Sequence, residues 1–140
     1  MSTTVVRPAR PDDVDAVLAL WDRAAGPTSQ PGTPASMTVL LKRDPGALIV
    51  ADHDGAIVGT LIVGWDGWRC HLYRLAVDAE HRRHHIGAQL VARARERARE
   101  LGARRLDAMV DGHNELGVAF WSAIGFTVLA PEDRRFSSLV

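Results

Sequence analysis

The sequence predicts a single α/β (α+β) domain, and three observations carry that expectation. Runs rich in Val, Ile and Leu alternate with segments whose apolar residues recur at helical spacing. Trp65-Asp66-Gly67-Trp68 reads as a hairpin, because Asp-Gly suits a type I′ turn and the flanking tryptophans would face each other. Leu75-Ala76-Val77 ends an apolar strand that passes through a basic turn directly into a helix. Together these give the order β-α-α-β-β-β-α-β-α-β-β.

Thr3 to Val6 reads as the first strand and Pro8 to Pro11 as its exit. Asp12, Asp13 and Asp15 then crowd a helix first turn, where the dipole favours them, and Val14, Val17, Leu18 and Trp21 form its apolar stripe. Gly26 to Pro34 is a Pro/Gly/Ser/Thr loop, and a short helix is expected from Met37 to Arg43, before Pro45. Ala47 to Ala51 and Ala56 to Trp65 are strands joined by the Asp52-His53-Asp54-Gly55 turn. In the next hairpin the two-residue turn sets Val63 opposite Cys70, Leu61 opposite Leu72 and Gly59 opposite Arg74. His71, Tyr73, Leu75 and Val77 then share the other face. Ile86 to Leu101 is a helix with Ile86, Leu90, Ala94, Ala98 and Leu101 inward, and Gly102 ends it. Arg105 to Val110 is a strand; Asn114 caps a helix from Glu115 to Ile124, with Gly125 just past its end. Phe126 to Leu129 and Arg135 to Val140 are expected strands.

Composition sets limits. The chain has 140 residues, enough for one core, and 17 basic residues balance 17 acidic ones, so no global field draws it to nucleic acid or membrane. The basic charge is nevertheless local: eight arginines stand between His81 and Arg105 against Glu96 and Glu100. Arg93–Glu96 and Arg97–Glu100 fit a solvated helix face better than a DNA patch. Cys70 is alone, which excludes an internal disulfide and a cysteine metal cluster, and in a strand it reads as a core residue. His84 and His85 are adjacent on a turn, without the spacing of metal ligands, so no metal is expected. No apolar run is long enough for a membrane span and no signal-peptide pattern opens the chain, so the cytoplasm is the expected location.

The stretch from Arg74 to Leu90 carries the chemistry. A helix N-terminus at the end of a basic turn offers unpaired N–H groups and the positive end of the helix dipole, which together favour a phosphate. Arg82 and Arg83 add planar, bidentate donors. The segment resembles the coenzyme A-binding signature of the GNAT superfamily of N-acyltransferases. That signature is Leu-Ala-Val, a short polar link, then Arg/Gln-x-x-Gly-x-Gly/Ala opening a helix. Arg82 stands at the Arg/Gln position, Gly87 at the last glycine, and His85 where the family has its first glycine. The stretch from Asn114 to Phe126 resembles the second family hallmark, Asn-x-x-Ala, then Phe/Leu-Tyr, three residues and Gly-Phe. Asn114, Phe120, Gly125 and Phe126 match it; Gly117 replaces the alanine and Trp121 the tyrosine.

The resemblance covers essentially the whole chain, residues 1–140, read as one domain. It implies the GNAT acyl-CoA N-acyltransferase fold: a mixed central sheet with splayed fourth and fifth strands (β4/β5), flanked by about four helices. It further implies acetyl-CoA as co-substrate, and direct attack on the thioester by an acceptor amine while both substrates are bound. By the same resemblance the Leu75 N–H polarises the thioester carbonyl, and the Ala76 and Val77 backbone holds pantetheine. Arg82, Arg83, His84, His85, Ile86, Gly87 and Ala88 would cradle the pyrophosphate, and Asn114, Phe120 and Trp121 would complete the coenzyme site. Many relatives use the tyrosine hydroxyl to protonate the departing thiolate; an indole donates a hydrogen bond but does not release its proton. A positioned acid contributes about 10²–10⁴-fold, and a thiolate leaves tolerably without one, so this replacement slows transfer rather than abolishing it.

No glutamate lies on the strand where some relatives keep their general base. His71 and Tyr73 stand on the strand face next to the expected thioester, with imidazole the better matched to neutral pH. Tyr73, the one tyrosine of the chain, suits a structural role equally well. The expected partner is a small-molecule or peptide amine, with the protein a monomer or homodimer. Two alternatives stay open: a non-catalytic acyl-CoA sensor, suggested by His85 and Trp121, and transfer from another donor such as aminoacyl-tRNA.

Overall fold

The computed structural model describes residues 3–24, 32–110, 115–129 and 138, and the backbone but not the side chain of Arg83. The chain divides into two compact units, Met1–Met109 and Val110–Val140. In the first, β1 (Thr4–Pro8), β2 (Leu48–His53), β3 (Ala56–Trp65), β4 (Cys70–Val77) and β5 (Leu106–Ala108) form one sheet in sequence order. Neighbours are antiparallel except β4 and β5, which run parallel, so the sheet is mixed.

β1 runs two residues past its expected end because Arg7 and Pro8 pair with Val50 and Ile49. Proline is tolerated there on an edge strand. A 3-10 turn, Pro11–Asp13, then leads into α1 (Val14–Ala24). Asp13 closes this entry: its carboxylate accepts the Arg10 N–H at 2.7 Å and the Arg7 guanidinium at 2.8 and 3.1 Å. Arg7 also reaches Asp52 at 3.1 Å, joining β1, the turn and β2. The Arg7 guanidinium holds the Asp13 carboxyl below the usual carboxylate range, against the opposing effect of burial.

α2 (Pro34–Arg43) starts three residues before the expected Met37, at Pro34, the last residue of the expected loop. Thr33 is the N-cap, Pro34 occupies the first helical position, and Thr33 and Ser36 exchange backbone and side-chain hydrogen bonds. α1 and α2 cover one sheet face, where Val17, Leu20, Trp21 and Met37 pack with Leu48, Val50 and Ile62.

α3 (Ile86–Leu101) covers the other face, with Ile86, Leu90, Val91, Ala94 and Ala98 buried. A Cβ on Gly59 would lie 2.8 Å from Ile86 Cγ2 and 3.0 Å from Leu90 Cδ1, so this glycine is what lets the helix sit so close. Gly102 ends α3 with φ +85°: its N–H and that of Ala103 bond back to Arg99 and Ala98, which is a Schellman closure. Arg93 meets Glu96 at 3.6 Å as expected. The Arg97 expectation is corrected, because its guanidinium turns to Asp44 at 2.6 Å.

The two hairpins correct the turn assignments. β2 continues through His53, which pairs with Ala56, so the first loop is Asp54-Gly55 with φ +52° and +93°, the type I′ geometry. In the second, Trp65 pairs with Cys70 rather than Trp68. The Asp66 carboxylate accepts from the Trp68 and Arg69 N–H groups at 2.8 and 2.7 Å, widening the loop and leaving Trp68 84% exposed. Val63 therefore stands opposite Leu72, and Gly64 opposite His71. The slip is even, so Cys70 and Leu72 keep the face expected of them.

In the second unit, α4 spans Glu115–Ala123. It closes as α3 does: the Gly125 N–H, at φ +96°, bonds to Ser122 O, and the Phe126 N–H to Trp121 O at 2.9 Å. The Phe126 ring meets Trp121 at 4.8 Å, the apolar contact that accompanies this motif. Phe126 to Leu129 is not a strand; Val128 and Leu129 are exposed, with no strand partner among the described residues. Arg135 to Val140, apart from Ser138, lies outside the described residues, as does Asn114.

Candidate functional site

β4 is irregular at its centre. Ile62 pairs with Tyr73 and Thr60 with Ala76, so Leu61 alone faces both Arg74 and Leu75. This is a β-bulge, and Arg74 takes the strain of it at φ +56°. The extra residue reverses the alternation beyond it. His71, Tyr73 and Ala76 share the face of Gly64, Ile62 and Thr60, while Val77, opposite Gly59, crosses to the other. The expectation that Val77 shares a face with His71 and Tyr73 is thereby corrected.

β5 pairs only with Cys70, His71 and Leu72, and the Met109 N–H bonds to Leu72 O at 3.3 Å. Beyond Leu72 the β5 side of β4 has no strand partner among the described residues. The Asp78 N–H bonds across to Val58 O at 2.8 Å and Ala76 stands opposite Thr60. Amides alternate along an antiparallel ladder, so Leu75 and Val77 turn theirs to the opposite, open edge. The Ala76 side chain packs against the core beneath α1.

The open edge leads into the basic turn. Asp78 caps a 3-10 turn, Ala79–His84, by accepting the Glu80 N–H. His81 and His84 on this turn approach His53 at the end of β2, with ring centroids 5.1 to 6.3 Å apart, and pin the turn to the sheet. His85 follows with φ +57°, a left-handed conformation that glycine takes without a Cβ penalty. That explains in physical terms what a glycine at this position would supply. His85 makes no side-chain cap, so the N–H groups of Ile86, Gly87 and Ala88 open α3 without one. Ile86 and Gly87 are buried; Arg82, His84 and His85 are exposed around them, and Arg83 lies in the same turn. Among the described residues, no group of His, Cys, Asp and Glu is arranged to hold a metal ion.

Tyr73 leans over β3: a Cβ on Gly64 would lie 3.2 Å from its Cε1. Gly64 is opposite His71, so the ring tilts toward the hairpin and away from Leu75. His71 is half-buried on the same face. Burial pushes the Cys70 thiol up, as suits a core residue rather than a nucleophile. In the second unit Trp121 is buried, packed edge-on to Phe120 at 5.4 Å as well as to Phe126.

Two contributions escaped the sequence reading. Thr60 is fully buried, accepts the Trp21 indole N–H at 2.8 Å and donates to Arg74 O at 3.0 Å. A lone hydroxyl in the apolar run Ala56–Trp65 was the available signal. The His53–His81–His84 cluster had none, because it is assembled by topology.

The chain and its fold have counterparts among known proteins. The Acetyltransferase (GNAT) family model matches residues 14–126. An acetyltransferase of Sodalis glossinidius, SG1711, is 28% identical over 123 residues, covering 86% of this chain and 85% of that protein. Rv2747 of Mycobacterium tuberculosis, solved in complex with CoA, is similar in structure with a TM-score of 0.72 and 28% identity, covering 88% of this chain and 71% of that one. The yncA protein of Salmonella typhimurium, solved with acetyl-CoA, has a TM-score of 0.77 at 19% identity, covering 91% and 82%. The sheet and helices are those of the GNAT fold, and the chain is an acyltransferase belonging to the GNAT family of acetyltransferases.

Proposed function

We propose that the protein moves the acetyl group of acetyl-CoA to a primary amine of a small molecule or peptide, by direct attack with both substrates bound to one domain, residues 1–140. The observation that carries this reading is the continuity of two donor sets, one with no strand partner and the other with no side-chain cap among the described residues. β5 ends opposite Leu72, leaving the Leu75 and Val77 amides on an open edge. That edge runs through the Asp78-capped turn to the uncapped start of α3. An extended pantetheine arm would pair with Leu75 and Val77, and the pyrophosphate would meet the N–H groups of Ile86, Gly87 and Ala88 beside Arg82, Arg83, His84 and His85.

In this arrangement the Leu75 N–H faces the oxygen on which negative charge builds as the amine attacks, the main electrostatic contribution expected of such a site. Holding amine and thioester together supplies much of the rest. His71 is the candidate base. Tyr73 tilts away from Leu75 and is better placed to shape the acceptor side than to exchange a proton. Water would protonate the departing sulfur.

The test is thiol release from acetyl-CoA against a broad panel of amines, with thermal shift read in parallel. A rise in Tm with acetyl-CoA is expected, together with thiol release that depends on one class of amine. Trp121 at the usual acid position favours a second reading, an acyl-CoA sensor. Strong coenzyme binding with no acceptor-dependent thiol would establish it. Absence of any Tm rise, with tRNA retarded in a gel, would point to an aminoacyl donor.

A further inference from the structure

Thr60 and Trp21 have no direct part in the chemistry proposed above, yet they converge on its central peptide. Trp21 Nε1 donates to Thr60 Oγ1 at 2.8 Å, which leaves the hydroxyl proton to point at Arg74 O, 3.0 Å away. Thr60 is 0% exposed, the one buried polar side chain among the described residues. The Arg74 guanidinium lies over the same indole, 4.7 Å from the ring centroid. One tryptophan therefore holds Arg74 twice, at its side chain directly and at its carbonyl through Thr60.

The held carbonyl belongs to the peptide that joins Arg74 to Leu75. A trans peptide is planar, and its C=O and N–H point in opposite directions. Fixing Arg74 O toward Thr60 directs the Leu75 N–H away from β3, to the edge that β5 has left. The left-handed φ of +56° at Arg74 is a conformation that a residue with a Cβ adopts at a cost of roughly 1–2 kcal/mol. It persists only if surrounding contacts enforce it, and a buried charge-free relay with every hydrogen bond made is suited to that task.

From this geometry we infer that Trp21 and Thr60 are positioning residues: their hydrogen-bond relay sets the Arg74–Leu75 peptide plane and so aims the Leu75 N–H at the thioester oxygen. The inference rests on the acetyl-transfer reading for the identity of that oxygen. A donor aimed in advance needs no reorganisation when charge develops, which is where its catalytic effect originates. The relay acts on the chemical step and leaves the pyrophosphate contacts alone.

The test compares Thr60→Val, which keeps the shape and removes both links, with Thr60→Ser, which keeps the hydroxyl. Trp21→Phe, which keeps a ring beneath Arg74 and removes its N–H, serves as an independent variant should Thr60→Val not fold. Thr60→Val is expected to lower kcat about tenfold, part of the 10²–10³ lost when such a donor is deleted. KM for acetyl-CoA should change less than about twofold, because uniform binding is untouched; Thr60→Ser should restore kcat. Backbone chemical shifts of Arg74 in the free protein should carry the left-handed signature in the wild type and in Thr60→Ser and lose it in Thr60→Val. The Leu75 amide proton should move downfield with acetyl-CoA relative to CoA, and less so in Thr60→Val. An unchanged kcat, or an unchanged Arg74 signature in the folded variants, overturns the inference. Failure of the wild type to bind acetyl-CoA would instead show in its own Tm and Leu75 shift, and would remove the acetyl-transfer reading and this role with it, whatever the Arg74 signature.

Discussion

Cys70–Leu72 and Tyr73–Val77 are consecutive stretches of one strand with opposite surroundings. The first is paired on both sides, by β3 and β5, and Cys70 and Leu72 are buried. Among the described residues the second is paired on one side only, carries the bulge and the left-handed Arg74, and is partly exposed throughout. The closed half obeys the ordinary rule that strand amides are satisfied and apolar side chains are covered. Among the described residues the open half leaves donors without a strand partner next to a helix start with no side-chain cap, a combination that stability alone does not favour. Strained backbone clusters at active sites and ligand clamps.

That contrast can be broken from either end. Replacing the Leu75 amide by an ester, through the α-hydroxy analogue of leucine, deletes the N–H and leaves the side chain in place. A loss of about 10²–10³ in kcat is expected with little change in Tm; thiol-release kinetics and a melting curve read the two. In the closed half Leu72→Ala should do the reverse, costing about 3 kcal/mol by denaturant titration while the folded fraction retains its kcat. Equal effects of both changes on kcat would erase the distinction between the halves.

Smaller effects sharpen it. His85→Gly relieves a left-handed residue at the start of α3, and should raise stability by about 0.5–1 kcal/mol. It should also strengthen CoA binding by opening the backbone to phosphate, as isothermal titration would show. Asp13→Asn tests a region remote from the site. The carboxyl of Asp13 is held low by Arg7, so its contribution is complete above the ordinary carboxylate pKa of about 3.9 and is lost as pH falls through the depressed folded value. The variant should lose about 1 kcal/mol at pH 7, because a partly screened pair is worth less than a buried one. The difference from wild type should shrink toward pH 2, with kcat at pH 7 unaltered.

Much of this architecture was legible because periodicity and punctuation agreed. α3 spans Ile86–Leu101 as the apolar spacing and Gly102 indicate, and Gly125 closes α4 for the same reason. The same Asp-Gly dipeptide, however, makes a tight I′ turn after His53 and a wider loop after Trp65, where the Asp66 carboxylate captures two N–H groups instead. Local composition does not decide between those outcomes, so the register slipped by two. The bulge left no mark in the sequence either, since Arg74 stands where a positive φ would suggest glycine. At the site, the basic turn was visible as a Leu-Ala-Val strand feeding a helix, and the open edge only as what the family resemblance implies. The Thr60 relay and the histidine cluster arise from contacts between distant elements and could be seen only once those elements were assembled.

The most direct measurement is residue-resolved amide hydrogen exchange along β4, with and without saturating acetyl-CoA. Exchange at Leu75 and Val77 is expected to slow strongly on binding, while Leu72, already between two strands, should change little. A rise in Tm with acetyl-CoA that leaves Leu75 and Val77 unprotected would place the acyl donor elsewhere and rule out pantetheine on the β4 edge.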